Sequence, residues 1–66
     1  MFKLEEIDGK IYCIINCELK YIFIRNKNKN KYWEAFNVKD GKAFGNPIGS
    51  DKYRFDLAER LDVGGL

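Results

Sequence analysis

The stretch from Ile7 to Ile15, which reads IDGKIYCII, decides how the fold begins. Asp-Gly between two apolar runs is the strongest short-range signal for a β-hairpin, because a type I′ turn needs positive φ at both central residues. The run after the turn is rich in β-branched and aromatic residues, which are typical of strands. We therefore expect a hairpin whose strands cover residues 2–7 and 10–16.

Two further strands follow this hairpin. Residues 16–18 are expected to turn, and residues 19–25 are apolar on both faces, which is typical of a strand covered on both sides. A fourth strand is predicted over residues 31–38, after a loop of alternating Asn and Lys. In the third strand, alternation assigns Leu19, Tyr21 and Phe23 to one face and Ile22 and Ile24 to the other.

A second Asp-Gly turn, Asp40-Gly41, comes directly after the fourth strand. It predicts another hairpin, with a short fifth strand over residues 42–44. Residues 45–49 read GNPIG, and this Gly and Pro content predicts a loop.

The last third of the chain carries a helical pattern. Tyr53, Leu57 and Leu61 repeat every four residues, with Ala58 beside them, and form one apolar stripe of a helix over residues 51–62. Phe55 lies off this stripe, so we expect its ring on the exposed side of the helix.

Residues at both ends of this segment agree with a helix. Ser50 or Asp51 can accept hydrogen bonds from its first N–H groups, Gly64 can supply a left-handed stop, and Leu66 can fold back on the last turn. The predicted fold class is α+β: a small antiparallel β-meander of four or five strands, open or curled toward a barrel, with one C-terminal helix. The helix should cover one face of the sheet.

Length and charge narrow the function. A chain of 66 residues allows one small domain, over residues 1–66, and leaves no room for a deep cleft or a cofactor domain. The formal charge is only +2, yet residues 20–42 hold seven Lys or Arg against two acids. A local basic patch can attract an anionic partner.

Catalysis, cofactors and metals are not expected. The chain has no His, and hence lacks the usual base near neutral pH. Cys13 lies in an apolar strand, where burial keeps a thiol neutral, and a Cys nucleophile needs a base or a cation nearby. Cys13 and Cys17 are too few for a zinc site, which needs about four ligands. We expect no catalytic residues, no metal and no cofactor.

The compartment is predicted from what the sequence lacks. Acids follow the first residues, where a signal peptide would have an apolar run, and no apolar stretch approaches a membrane span. We expect a cytoplasmic protein that does not contact membranes, with both thiols reduced.

One segment combines cations with large rings. Residues 25–33 read RNKNKNKYW, and Phe55 is a further exposed ring in the prediction. Aromatic rings supply desolvated contacts, and surrounding cations set charge complementarity or contact phosphates. The opposing interpretation is a solvated loop followed by core aromatics. The predicted partner-binding residues are Arg25, Lys27, Lys29, Lys31, Tyr32, Trp33 and Phe55.

Part of the chain resembles the arm-type DNA-binding domains at the start of phage integrases. The matching elements are residues 32–36 (YWEAF), Gly41-Lys42, and Ser50-Asp51 entering a helix that contains Ala58. The resemblance implies DNA binding by a three-stranded sheet with a helix. This chain departs from that family in being less basic and in lacking the catalytic domain that follows.

The sequence leaves three functions open. The first is a non-catalytic protein that docks on a larger host protein, for example a defence effector or another protein that handles nucleic acid, and inhibits or modulates it. Its size and Lys-, Asn- and Ile-rich composition are similar in type to small phage and mobile-element proteins, many of which block CRISPR or other defence effectors. The second is nucleic-acid binding by the hairpin of residues 25–33. The third is an intracellular homodimer that uses a sheet edge or an open sheet face.

Overall fold

The protein is a five-stranded antiparallel sheet with one C-terminal helix, and the computed structural model describes residues 1–27 and 31–64. The strands lie in chain order, β1-β2-β3-β4-β5, so each pairs with its neighbours in the sequence. The predicted α+β meander is confirmed, and the sheet is open rather than closed into a barrel. The elements are β1 (Phe2–Ile7), β2 (Lys10–Ile15), β3 (Glu18–Arg25), β4 (Trp33–Lys39), β5 (Lys42–Asp51) and α1 (Arg54–Gly64).

Both Asp-Gly turns form as predicted. Asp8 and Gly9 have φ of 53° and 78°, and Asp40 and Gly41 have φ of 54° and 75°. Positive φ at both central residues defines the type I′ turn, whose twist matches that of the flanking strands. These two dipeptides fix the registers of the first and last hairpins.

The turn between β2 and β3 has the same geometry without a glycine. Asn16 and Cys17 have φ of 52° and 65°. Asn tolerates this left-handed region, whereas a side chain such as that of Cys17 is strained there by roughly 1 kcal/mol. The predicted turn is confirmed but is shorter than expected, because Glu18 already belongs to β3.

The helix covers one face of the sheet, which we call the helix face. Side chains from three strands, β2, β3 and β4, converge there with the apolar stripe of α1, and Phe23, Ala35 and Leu57 are fully buried. Removing a large apolar side chain from water contributes about 1.5–3 kcal/mol, so this cluster dominates the stability. Its buried members are Ile11, Cys13, Ile15, Phe23, Trp33, Ala35, Leu57, Ala58 and Leu61.

The opposite face of the sheet, which we call the open face, is also apolar. Tyr12 pairs with Ile22, and Ile22 pairs with Phe36, so the three side chains form a row across β2, β3 and β4. Ile22 is only 2% exposed although it lies outside the core cluster. The third strand is therefore apolar on both faces, as predicted, and the buried side chains of α1 pack on the helix face.

One prediction within β3 is wrong because of a β-bulge. Cys13 pairs with Tyr21, but the next residue of β2, Ile14, pairs with Leu19, so Lys20 is the extra residue. A bulge shifts the alternation by one position. Leu19 therefore lies on the open face with Ile14, instead of sharing the helix face with Tyr21.

The loop predicted over residues 45–49 is instead part of β5, which runs for 10 residues. Gly45 has φ of 77°, and the register jumps from Asn37–Phe44 to Ala35–Gly49, so a large bulge accommodates these residues. Pro47 is tolerated because β5 is an edge strand, where one side of the backbone needs no ladder hydrogen bonds.

Because β5 is longer than predicted, the helix begins later in the sequence than predicted. The strand continues to Asp51, which pairs with Trp33, so α1 begins at Arg54 rather than at residue 51. Tyr53 consequently precedes the helix and is 59% exposed, so its assignment to the apolar stripe is wrong. Leu57 and Leu61 are buried as predicted, and Phe55 is exposed as predicted. The fold-back of Leu66 lies outside the described residues.

Two ion pairs connect α1 to the sheet. Arg60 reaches the end of β5, where its Nη2 lies 3.1 Å from Asp51 Oδ2 and donates to the Ser50 carbonyl at 2.7 Å. Near the other end of the helix, Asp62 Oδ2 lies 3.1 Å from the amino group of Met1. No helix in the described ranges is long and apolar enough to cross a membrane.

Candidate functional site: a basic and aromatic groove

An open groove of about 530 Å³ lies where the β3–β4 hairpin approaches the start of α1. We call it the basic groove. Its described lining contains four cations and three rings and no carboxylate. A second groove, of about 270 Å³, lies beside Phe2 and Cys17 and has a single lysine in its described lining. The basic groove is lined by Arg25, Lys31, Trp33, Lys52, Tyr53, Arg54 and Phe55.

The strand side of the groove is built by a cross-strand pair. Arg25 at the end of β3 pairs with Trp33 at the start of β4. The guanidinium of Arg25 lies 4.7 Å from the centroid of the Trp33 ring, within cation–π range. Trp33 is 6% exposed and belongs to the core cluster, so it forms the floor of the groove and holds Arg25 in place. Lys31 is exposed on the same side.

The helix side of the groove is the segment Lys52-Tyr53-Arg54-Phe55. Tyr53 and Phe55 are 59% and 60% exposed, and exposed rings that gather at one site are typical of interaction surfaces. A cation accompanies each ring: Lys52 Nζ lies 5.7 Å from the Tyr53 ring centroid, and the Arg54 guanidinium 5.8 Å from that of Phe55. Charge and ring thus alternate along the rim.

Asp51 anchors this segment without neutralising it. Its Oδ1 accepts a hydrogen bond from the backbone N–H of Tyr53 at 3.0 Å, and its Oδ2 pairs with Arg60. The carboxylate predicted near the helix start therefore fixes the bend between β5 and α1. Because Arg60 compensates its charge, the four groove cations keep a positive potential that attracts anions.

The structure brings four of the seven predicted partner-binding residues together. Lys27 is exposed and Tyr32 is half-buried, and neither lines the groove. Lys29 lies outside the described residues. The four residues that line the groove are Arg25, Lys31, Trp33 and Phe55.

Sequence reasoning missed three lining residues, Lys52, Tyr53 and Arg54. A sequence signal for these residues exists. The segment KYRF alternates cations and aromatic rings, and the segment RNKNKNKYW combines the same two residue types. Tyr53 was assigned to the apolar stripe on its spacing alone. Only the extension of β5 to Asp51 places it before the helix.

The two thiols differ sharply in their surroundings. Cys13 is fully buried on the helix face, and this burial, with a smaller contribution from the nearby charge of Asp62, raises the pKa of its thiol to about 11. Cys17 is exposed in its turn. Within residues 1–27 and 31–64, no three His, Cys, Asp or Glu side chains gather closely enough to hold a metal ion.

Comparisons with known proteins give no relative. Neither family models, nor curated proteins, nor solved structures yield a significant match to this chain.

Proposed function

We propose that this chain is a non-catalytic nucleic-acid-binding protein that holds a single strand in the basic groove. The observation that supports the proposal is the juxtaposition of four cations with the exposed rings of Tyr53 and Phe55. Proteins that bind single strands combine a positive groove for the phosphates with aromatic rings on which bases stack. The groove has both parts, and its described lining has no carboxylate to repel phosphates.

A single strand fits the groove better than a duplex does. Bases must be unpaired before their faces can stack on protein rings. Modules that bind duplex backbone are usually strongly basic overall, whereas this chain has a formal charge of +2. Its positive potential is concentrated where Arg25 and Lys31 face Lys52 and Arg54 across the groove.

The proposal is tested by fluorescence anisotropy with labelled single-stranded DNA and RNA and the matching duplexes. We expect the single strands to bind more tightly, with affinity falling as salt rises. Each phosphate neutralised on a single strand adds about −0.7 to the slope of log K against log salt. Absence of binding even at low salt, or binding that does not depend on salt, would contradict the proposal.

Two variants separate charge from stacking. Arg54→Glu should lower affinity and flatten the salt slope, whereas Lys42→Glu, the same change at an exposed site outside the groove lining, should leave both nearly unchanged. Phe55→Ala should weaken binding by about 1–3 kcal/mol through lost stacking, and Phe55→Tyr should retain affinity. Equal effects of Arg54→Glu and Lys42→Glu would mean that binding depends on the overall charge of the protein and not on the groove.

Docking on an acidic surface of a larger host protein is the second candidate. The specific observation in its favour is that Tyr53 and Phe55 project as a pair of exposed rings, and clustered rings often anchor protein interfaces. A photoreactive phenylalanine analogue at position 55 tests it. A crosslink to one host protein that Arg54→Glu abolishes, in a chain that does not bind nucleic acid, would favour this candidate.

A further inference from the structure

The open face is a second surface, separate from the basic groove, and its row consists of the half-buried rings of Tyr12 and Phe36 on either side of Ile22, which is 2% exposed. We propose that this face is the interface between two copies of the chain, stacked sheet on sheet. Oppositely charged side chains border the row at positions that a two-fold axis relates.

Opposite charges flank the centre of the face at equal height. Glu34 pairs with Ile24, and Lys10 lies opposite Ile24 on the other side, one step beyond the paired Ile11 and Phe23. Lys10 on β2 and Glu34 on β4 thus lie on either side of β3. The Asn26 side-chain amide donates to Glu34 Oε2 at 3.3 Å and orients this carboxylate on the same face.

A two-fold axis parallel to β3 makes this arrangement complementary to itself. Such an axis stacks β2 of one copy over β4 of the other and keeps each row at the same height. Tyr12 then meets Phe36 and Lys10 meets Glu34, each twice, around the buried Ile22 of each copy. A two-fold interface brings the same patch of both subunits together, so this match of charge with charge and ring with ring satisfies its requirement.

The other charges of the face also favour a second copy over a strongly charged partner. Lys3 and Glu5 on β1 belong to the open face, because they pair with Ile14 and Tyr12. Lys3 Nζ lies 3.4 Å from Glu5 Oε2, so they compensate one another. Cations and acids are therefore balanced here, in contrast to the basic groove.

The size of the face predicts a dimer that dissociates readily. Five strands about 4.8 Å apart, with about six residues rising about 3.3 Å each, give a face of roughly 24 by 20 Å. Such a face is at the small end of specific interfaces, where complexes are weak and transient. Aligned sheets pack about 10 Å apart, which leaves room for one interdigitated layer of side chains.

Sedimentation equilibrium over a wide concentration range, with charge-swap variants, tests the proposal. The wild-type chain should shift from monomer to dimer. Lys10→Glu or Glu34→Lys alone places like charges opposite each other twice, and each should weaken dimerisation about tenfold or more. The double variant Lys10→Glu/Glu34→Lys restores both pairs and should recover the wild-type dissociation constant. Rescue by the double variant cannot come from a folding defect.

Lys52→Glu is the matched control, because it makes the same change of charge in the basic groove. It should leave the dimer unchanged, which also separates this proposal from the proposed function. A chain that stays monomeric at all concentrations overturns the proposal. The proposal is also overturned if neither single charge swap weakens the dimer, or if the double swap does not restore it, because the interface then lies elsewhere.

Discussion

The two faces of the sheet are built from similar residues but end in different states. On the helix face, Ile11 and Phe23 belong to the cluster that packs against α1. On the open face, Ile22 is almost as buried, between Tyr12 and Phe36 of the neighbouring strands, but it lies outside that cluster. Two side chains with the same low exposure can therefore have different packing partners.

Replacing Phe23 tests the helix face most severely. Its ring is fully buried, and Phe→Ala in a core costs about 3–5 kcal/mol, about the whole stability of a single core this small. Phe23→Ala should therefore leave the chain largely unfolded by circular dichroism. Phe55→Ala, the same change at a ring that is 60% exposed and lies 6.4 Å from the Phe2 ring, should lower the free energy of unfolding by only about 0.5–1.5 kcal/mol.

Two isoleucines with nearly equal burial allow the packing of the two faces to be compared directly. Ile11 and Ile22 are 1% and 2% exposed, but Ile11 lies in the packed cluster and Ile22 does not. Truncation at Ile11 should leave a closed cavity, whereas a gap at Ile22 should open to solvent. The loss of stability depends on how far the surrounding structure can fill such a gap. In urea unfolding of dilute protein, Ile11→Ala should cost at least about 1 kcal/mol more than Ile22→Ala. Equal costs would mean that the open face is packed as tightly as the helix face.

The burial of the Cys13 thiol on the helix face makes the free energy of unfolding depend on pH. Its pKa rises from 9.0 to about 11 on folding, so between these values the unfolded state has lost a proton that the folded state keeps. Stability is thus unaffected below pH 9 and falls above it, by about 1.4 kcal/mol per pH unit across the window. Urea midpoints measured from pH 8 to 11 should decline less steeply in Cys13→Ala than in the wild type.

The turn at Cys17 provides the smallest test, and one that favours neither face. Its φ of 65° suits glycine, so Cys17→Gly should raise the free energy of unfolding by about 0.5–1 kcal/mol. Cys17→Ser keeps the strain and should change the stability little. A destabilised Cys17→Gly would show that the thiol makes contacts that outweigh the strain.

The local signals in the sequence predicted most of the fold, and long-range packing decided the rest. The dipeptides Asp8-Gly9 and Asp40-Gly41 specify their turns through backbone sterics, so both hairpins could be predicted from the sequence. The bulge at Lys20 and the continuation of β5 through Pro47 depend on partners across the sheet, which no local pattern encodes. For the same reason three of the seven residues that line the basic groove were not predicted, because Tyr53 joins Trp33 only after β5 has extended to Asp51.

Chain-order pairing of the strands also shapes how the protein folds. Every ladder joins consecutive strands, so each hairpin can close locally and early, which favours fast sheet formation. An isolated helix of 11 residues is marginal in water, so α1 becomes stable only once the sheet exists to receive it. A sheet formed without α1 would leave both of its apolar faces bare, and a chain in that state would be prone to aggregate.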